Sequence, residues 1–290
     1  MIKQERHRLK IVLLALLFVS FFLKDSYATG LQVVVLDVGM GQSVLLAEDG
    51  HGLLVDTGLA KYGSHVLSRM RHYGVETLDY LILSHLHPDH AGGYSQIRAS
   101  WAETPVFDSC SMPQQLHPVE KDAFLKLQDE LKNDPLHSCL QAGDDLNWMG
   151  HRLQVLWPSL KSAENVNRDS MVLLLTQKQG GTLLIMGDVD KSVEQNLQTV
   201  LEGYLEQRSV DIYVAAHHAA IDSSDPGFLA MLQPQVSIVS VGKDNIFGYP
   251  AKESMAVLEK HSNSVLRTDK DGEICFTFTS EKVVPCTVLY

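Results

Sequence analysis

Apolar positions run almost without interruption through residues 31–58, as LQVVVLDVG and SVLLAEDGHGLLVDTG, broken only where Gly and Asp cluster. Runs bounded by turn residues in this way predict a β-meander. Over 61–74 the apolar spacing becomes helical and stops at Gly74. LDYLILS (78–84) is short and nearly all apolar, a strand expected to be buried on both faces. Pro88 bars a helix through the polar stretch beyond it, so the next helix is expected near His90, with Asp89 as its cap. A helix over 118–134 and a hairpin in LNWMGHRLQVLWP follow. The hairpin MVLLLTQKQGGTLLIMGD (171–188) turns at Gly180-Gly181 and leads to a helix over 190–206. VDIYVAAHH (210–218) and QVSIVSVG (235–242) read as strands, with helices near 226–232 and 251–261 and a closing strand pair, EICFTF and KVVPCTVLY. The strands form two blocks, each interleaved with helices. The expected fold class is α/β: two mixed β-sheets packed together with helices on the outer faces, a four-layer αβ/βα sandwich. Without repeats, low-complexity stretches or Pro/Ser linkers, residues 29–290 read as one domain.

Residues 1–28 stand apart. A basic MIKQERHRLK precedes the apolar IVLLALLFVSFFL, and Ser26-Tyr27-Ala28 offers small residues at −3 and −1. These are the parts of a secretory signal peptide, with cleavage expected after Ala28 and a periplasmic or secreted product. An uncleaved anchor is the alternative, although the run falls short of the roughly 20 apolar residues a membrane span needs. Of 24 Lys/Arg and 35 Asp/Glu, cleavage would remove five and two, leaving a net charge of −14. So acidic a surface opposes non-specific nucleic-acid binding. All four cysteines lie in the exported part, where an even count favours disulfides. A two-residue turn at Ser280-Glu281 would set Cys275 opposite Cys286, and Cys110–Cys139 follows by elimination.

LILSHLHPDHAGG (81–93) packs three histidines and an aspartate into six positions directly after a buried strand. In an extended loop alternate side chains point the same way, so His85 and His87 can grip one metal. Asp89 and His90, past the Pro88 turn, reach toward a second. Imidazoles with carboxylates suit Zn²⁺, and Mn²⁺ where oxygen donors dominate. Gly92 and Gly93 remove bulk beside the centre. Further polar clusters end apolar strands at Asp56, Asp188 and His217, which suggests that one rim of the sheets is a site. Asp79, Asp211 and Asp225 are candidates for orienting ligand imidazoles.

SHLHPDHAGG resembles the H-x-H-x-D-H signature of the metallo-β-lactamase fold. The resemblance covers roughly residues 31–280. It implies that Asp56 in LLVDTG orients the site, that Asp188 in LLIMGD bridges two metals, and that the last ligand lies in the histidine pair after VDIYVAA. Neighbouring strand residues face opposite ways, so one of the pair is expected to be the ligand; the resemblance implies His217, with His218 as a proton donor or as a partner that orients a ligand. LDVGMGQSVLL, Asn167…Ser170-Met-Val-Leu-Leu-Leu, LLIMGDV with Glu194, SVGKDN before GYP, and RTDKDGEI are similar to the metallo-β-lactamase-like domain of ComEC competence proteins, thought to act as a nuclease. The chain looks like that domain as a separate exported protein.

Two departures stand out: His217-His218-Ala219-Ala220 where the family usually has His-His-Gly-Ser, and Gly248-Tyr249-Pro250 where it has Gly-His-Pro. For the first metal's third ligand, His117, His137 and His151 lack a suitable setting, and the resemblance places Asn167 and Ser170 near the metal instead. Lys243, Asn245 and Tyr249 are expected near the substrate. Asp89 would bind metal and orient the water activated between the two ions. The leading expectation is an exported metal-dependent phosphodiesterase or nuclease acting on single-stranded DNA or another phosphodiester. Lys243, Lys252, Lys260 and Arg267 could guide a strand, or be ordinary surface cations. A hydrolase of a small ester, thioester, lactone or β-lactam would instead use Ile246, Phe247 and Tyr249 as an apolar pocket. A metal-binding accessory protein with little catalysis is the third reading.

Overall fold

The computed structural model describes residues 30–112, 116, 118–159, 165–205, 209–280 and 282–286. The expected signal peptide, its cleavage position and His117 lie outside these.

The first sheet holds β1 (Leu31–Val35), β2 (Val44–Glu48), β3 (His51–Val55), β4 (Thr77–Ile82), β5 (Val106–Asp108), β6 (His137–Cys139), β14 (Ile274–Phe278) and β15 (Val283–Pro285), in the order β15-β14-β1-β2-β3-β4-β5-β6. The second runs β13-β12-β11-β10-β9-β8-β7, from β7 (Asp145–Trp148), β8 (His151–Trp157), β9 (Val172–Thr176), β10 (Thr182–Ile185), β11 (Ile212–Val214), β12 (Val236–Val239) and β13 (Ser264–Arg267). Both are mixed: β3–β4–β5–β6 and β10–β11–β12–β13 pair in parallel, and the other pairs are antiparallel. Between the strands lie α1 (Gly63–His72), α2 (Pro88–Ala91), α3 (Tyr94–Ser100), α4 (Pro118–Lys132), α5 (Lys191–Leu205), α6 (Pro226–Leu232), α7 (Lys252–His261) and α8 (Thr268–Asp271).

The unbroken apolar runs have a simple cause. Strand side chains alternate between faces, and here both faces are covered. Val33, Val35, Leu53, Val55, Leu173, Leu175, Leu183 and Ile185 meet between the sheets. Val34 and Leu54 face outward onto Val66 and Met70 of α1, Ile97 of α3 and Phe124 of α4. Leu174 and Leu184 face Leu197 and Leu201 of α5, Phe228 of α6 and Leu258 of α7. The αβ/βα sandwich read from the sequence is therefore the fold, and each sheet delivers the C-terminal ends of its parallel strands to one rim.

Three local expectations change. The helix after the histidine motif begins two residues early, with His87 as N-cap and Pro88 at the first helical position. Proline is favoured there because that N–H has no helical partner and its φ is already set. Asp89 thus lies inside the turn rather than capping it. β11 ends at Val214, and His217-His218 form a tight turn instead of extending the strand. The short strands β5, β6 and β13 were not expected from the pattern. Both cysteine pairs do form: Cys110 with Cys139, and Cys275 with Cys286 across the β14–β15 hairpin, where Cys286 N donates to Cys275 O at 3.0 Å.

Glu194 on α5 is fully buried and ties that helix to the entry of α6. It accepts the N–H groups of Ser224 (3.0 Å) and Asp225 (2.5 Å). Burial pushes its carboxyl from 4.5 up to about 7, and those two N–H donors offset only part of the effect. The unfolded chain releases this proton first as pH rises, so the stability due to Glu194 is full below about 4.5 and falls until about 7. Urea midpoints should decline across that window, and Glu194→Gln should flatten the decline.

Candidate metal centre

Asp56, at the end of β3, is completely buried and left-handed, with φ +62°. Its Oδ1 accepts the Ser84 N–H at 2.7 Å. Its Oδ2 takes the Ser84 hydroxyl at 2.8 Å, Gln42 Nε2 at 2.9 Å and His90 Nδ1 at 2.8 Å. A buried carboxylate is tolerated only when satisfied in this way. Its hydrogen bonds join the ends of β3 and β4 to the motif turn.

Three imidazoles then have Nδ1 occupied and Nε2 turned inward. His85 Nδ1 meets the Ser84 hydroxyl at 3.1 Å, His90 Nδ1 meets Asp56, and His218 Nδ1 donates to the Ser240 carbonyl at 2.7 Å. Their Nε2 atoms converge on Asp188, at the end of β10. His90 Nε2 lies 3.0 Å and His218 Nε2 3.7 Å from Oδ1, and His85 Nε2 lies 3.8 Å from Oδ2. Two groups result, each with ligand atoms within 4.8 Å of one another: Asp89, His90, Asp188 and His218, and His85, His87 and Asp188. Asp188 is common to both.

The residues fit a divalent metal. His85 Nε2 is buried with no hydrogen-bond partner among the described residues, although it faces a carboxylate. His90 and His218 bring their Nε2 atoms within 3.3 Å of each other beside Asp188, an arrangement that a cation resolves. The electrostatics agree. Burial, with His90 adding to it, drives His85 well below the usual histidine range. Burial opposes charge on His90 too, but Asp188 and Asp56 outweigh it and raise His90 well above that range. Burial likewise opposes charge on Asp188, yet His90 and His218 hold it well below the ordinary carboxylate range.

His217 lies outside the tight groups. Its Nε2 is 3.9 Å from Asp188 Oδ2 and 3.2 Å from Asn167 Nδ2, while Nδ1 meets Asp222 at 3.1 Å. The pair does not lie on an extended strand: His217, His218 and Ala219 are all left-handed, with φ of +49°, +53° and +57°. Such residues cost roughly 1–3 kcal/mol each and persist where surroundings over-determine them. Here His217 N donates to Gly187 O, and Ala251 N to Ala219 O, both at 2.9 Å. Ala219 thus occupies a conformation that favours glycine, the residue the family pattern usually has there.

Asn167 and Ser170 sit at this rim, each with a buried oxygen lacking a partner among the described residues. Tyr249 stacks on His218, with centroids 6.3 Å apart, and on Phe247 at 5.6 Å. Asn245 is spent on its own loop, bonding to Tyr249 N (3.0 Å), Tyr249 O (2.7 Å) and Gly242 O (3.0 Å). Lys243, Lys252 and Lys260 are exposed, and Arg267 is paired with Asp269 at 2.6 Å. A Cβ on Gly92 would meet Pro88 O and Ala60 N, and one on Gly93 would meet Thr57 O. Asp79 binds His51 and Trp148, Asp211 binds Thr182, and Asp225 caps α6. None of the three orients a ligand histidine. His137 and His151 pair with Asp108 and Glu48, both at 2.8 Å. Sequence reasoning gave no role to Gln42, Ser84, Asp222 or Ser240. Only Ser84, beside His85 at a strand end, carried a positional signal.

Residues 36–106 match the metallo-β-lactamase superfamily. The chain is similar to YhfI of Bacillus subtilis, a metallo-β-lactamase fold protein, with TM-score 0.53 and 13% identity over 82% of this chain and 95% of that one. The chain has the metallo-β-lactamase fold, and its two ligand groups suit divalent metal. Its relatives include proteins named for competence and for recombination. Competence protein ComA of Neisseria gonorrhoeae is 28% identical over 91% of this chain and 35% of its own length. Recombination protein 2 of Haemophilus influenzae is 27% identical over 87% and 29%. The chain spans about a third of the length of these relatives.

Because Asp56 orients His90 and Ser84 orients His85, Asp56→Asn and Ser84→Ala should each weaken zinc affinity about 10–100-fold, measured by competition with a chromogenic chelator.

Proposed function

We propose that this chain is an extracytoplasmic metal-dependent phosphodiesterase of the nuclease type, with two divalent ions, zinc foremost. The observation that carries the reading is the pair of ligand groups sharing Asp188 in a chain homologous over most of its length to a competence protein. Two disulfides are consistent with the location. Among the described residues no helix is long and apolar enough to cross a membrane.

His85, His87 and Asp188 would hold one ion, and Asp89, His90, His218 and Asp188 the other. Bound there, the ions supply Lewis acidity and lower the pKa of water near the scissile bond. The chain's own groups divide the remaining work. The Ser240 carbonyl keeps the His218 proton on Nδ1, so its Nε2 lone pair faces inward as a ligand rather than as an acid. His217, with Nδ1 on Asp222 and Nε2 accepting from Asn167 Nδ2, would take up a proton at Nε2 on the outer side. The proposed roles are thus the reverse of those the resemblance implies. Asp89 contributes an oxygen 3.4 Å from His218 Nε2.

One observation favours a second reading, acyl hydrolysis. Ile246 and Phe247 are 93% and 60% exposed beside Tyr249, an apolar lip rather than a basic groove. The two readings separate on one panel: single-stranded DNA, bis(p-nitrophenyl) phosphate and a chromogenic β-lactam, with zinc or manganese, beside Asp89→Ala. Diester turnover is expected, reduced at least about 100-fold in Asp89→Ala. Turnover of the lactam alone would transfer the assignment to acyl chemistry, and no turnover with either metal would leave a metal-binding accessory role.

A further inference from the structure

A second cluster of ligating side chains lies at the far edge of the first sheet and shares no residue with the Asp188 groups. β5 and β6 pair in parallel there, with Asp108 opposite Cys139. His137 and Cys139 are two apart on β6, so they share a face. Cys110 follows β5 in a left-handed turn, φ +48°, with its N–H on Asp108 Oδ1 at 3.0 Å. That turn brings its sulfur to 3.1 Å from Asp108 Oδ1 and 3.8 Å from His137 Nε2, while His137 Nε2 is 2.8 Å from Asp108 Oδ1. The three ligand atoms lie within 4.8 Å of one another, and Cys139 is bonded to Cys110.

We propose that the Cys110–Cys139 disulfide and a zinc ion are alternative closures of this edge: once the bond is reduced, Cys110, Cys139, His137 and Asp108 form a metal site. A Cys₂His set completed by a carboxylate is a tetrahedral zinc donor set. For Zn–S near 2.3 Å, sulfurs on a tetrahedron stand about 3.8 Å apart, so the released thiolates need only separate to that edge. Among Cys110, His137 and Asp108 the ligand atoms, 3.1, 3.8 and 2.8 Å apart, lie within about half an ångström of tetrahedral zinc spacing. The chemistry balances with a dithiol reductant. Two electrons and two protons pass to the protein disulfide, giving two thiols, and the reductant becomes a disulfide. Zinc binding then releases both thiol protons to solvent. While the disulfide persists, its sulfurs are not thiolates and the site is closed to metal. The Cys275–Cys286 pair offers a control, since no His/carboxylate group gathers around it among the described residues.

Zinc per chain is to be counted by mass spectrometry on the full chain, oxidised and after anaerobic reduction and desalting. The reduced chain should hold one more ion than the oxidised chain, and cobalt in its place should give a sulfur-to-metal charge-transfer band. Cys275→Ser/Cys286→Ser should keep that ion, Cys110→Ser/Cys139→Ser should lose it, and His137→Gln should bind it at least about tenfold more weakly. Equal stoichiometry in the two redox states, or unchanged affinity in His137→Gln, would overturn the proposal. As a measure independent of how the variants fold, zinc should slow reoxidation of Cys110–Cys139 by oxidised glutathione at least about tenfold in the natural chain. An unchanged rate would equally overturn it.

Discussion

The hydrogen bonds collected by the Asp56 carboxylate are the constraint on which the centre depends. A fully buried charge must be completely satisfied, and each of its partners belongs to a different part of the rim: Gln42 after β1, Ser84 after β4, His90 in α2. Removing that charge would leave two strand ends and the motif turn without a common reference. Satisfying it fixes the ring orientation of His90, and through Ser84 that of His85. The geometry of the ligand atoms therefore follows from a residue that is not itself in either ligand group.

Much of this was legible in the sequence because two-faced burial leaves a plain trace. Runs such as LLV, LIL and LLIM can end only where the sandwich ends, so the polar residue that follows each of these parallel strands marks the rim. Asp56, His85 and Asp188 were found in this way. The His217/His218 assignment was not legible, since it turns on three successive left-handed residues that no propensity for histidine or alanine predicts. Strands of three or four residues, such as β5 and β6, are too short to show alternation. Asp79, Asp211 and Asp225 look like supporting carboxylates in the sequence, but local turns and neighbouring donors claim them. Asp222, which does support a site histidine, carries no mark at all.

The two departures from the family pattern lie together. Tyr249 stacks on His218, the histidine next to Ala219, and Phe247 stacks on Tyr249 in turn. One side of the centre is thus aromatic and half-exposed, while the ligand side is polar and closed.

The centre also joins the two sheets. His85, His87, Asp89 and His90 follow β4 of one sheet, whereas Asp188 and His218 follow β10 and β11 of the other. An ion held by both acts as a clasp across the inter-sheet core. By mass action, free metal at 100 times its dissociation constant adds about 2.7 kcal/mol to the folded state. With an ion so held, resistance to unfolding would be partly a property of the surroundings, rising and falling with the supply of metal.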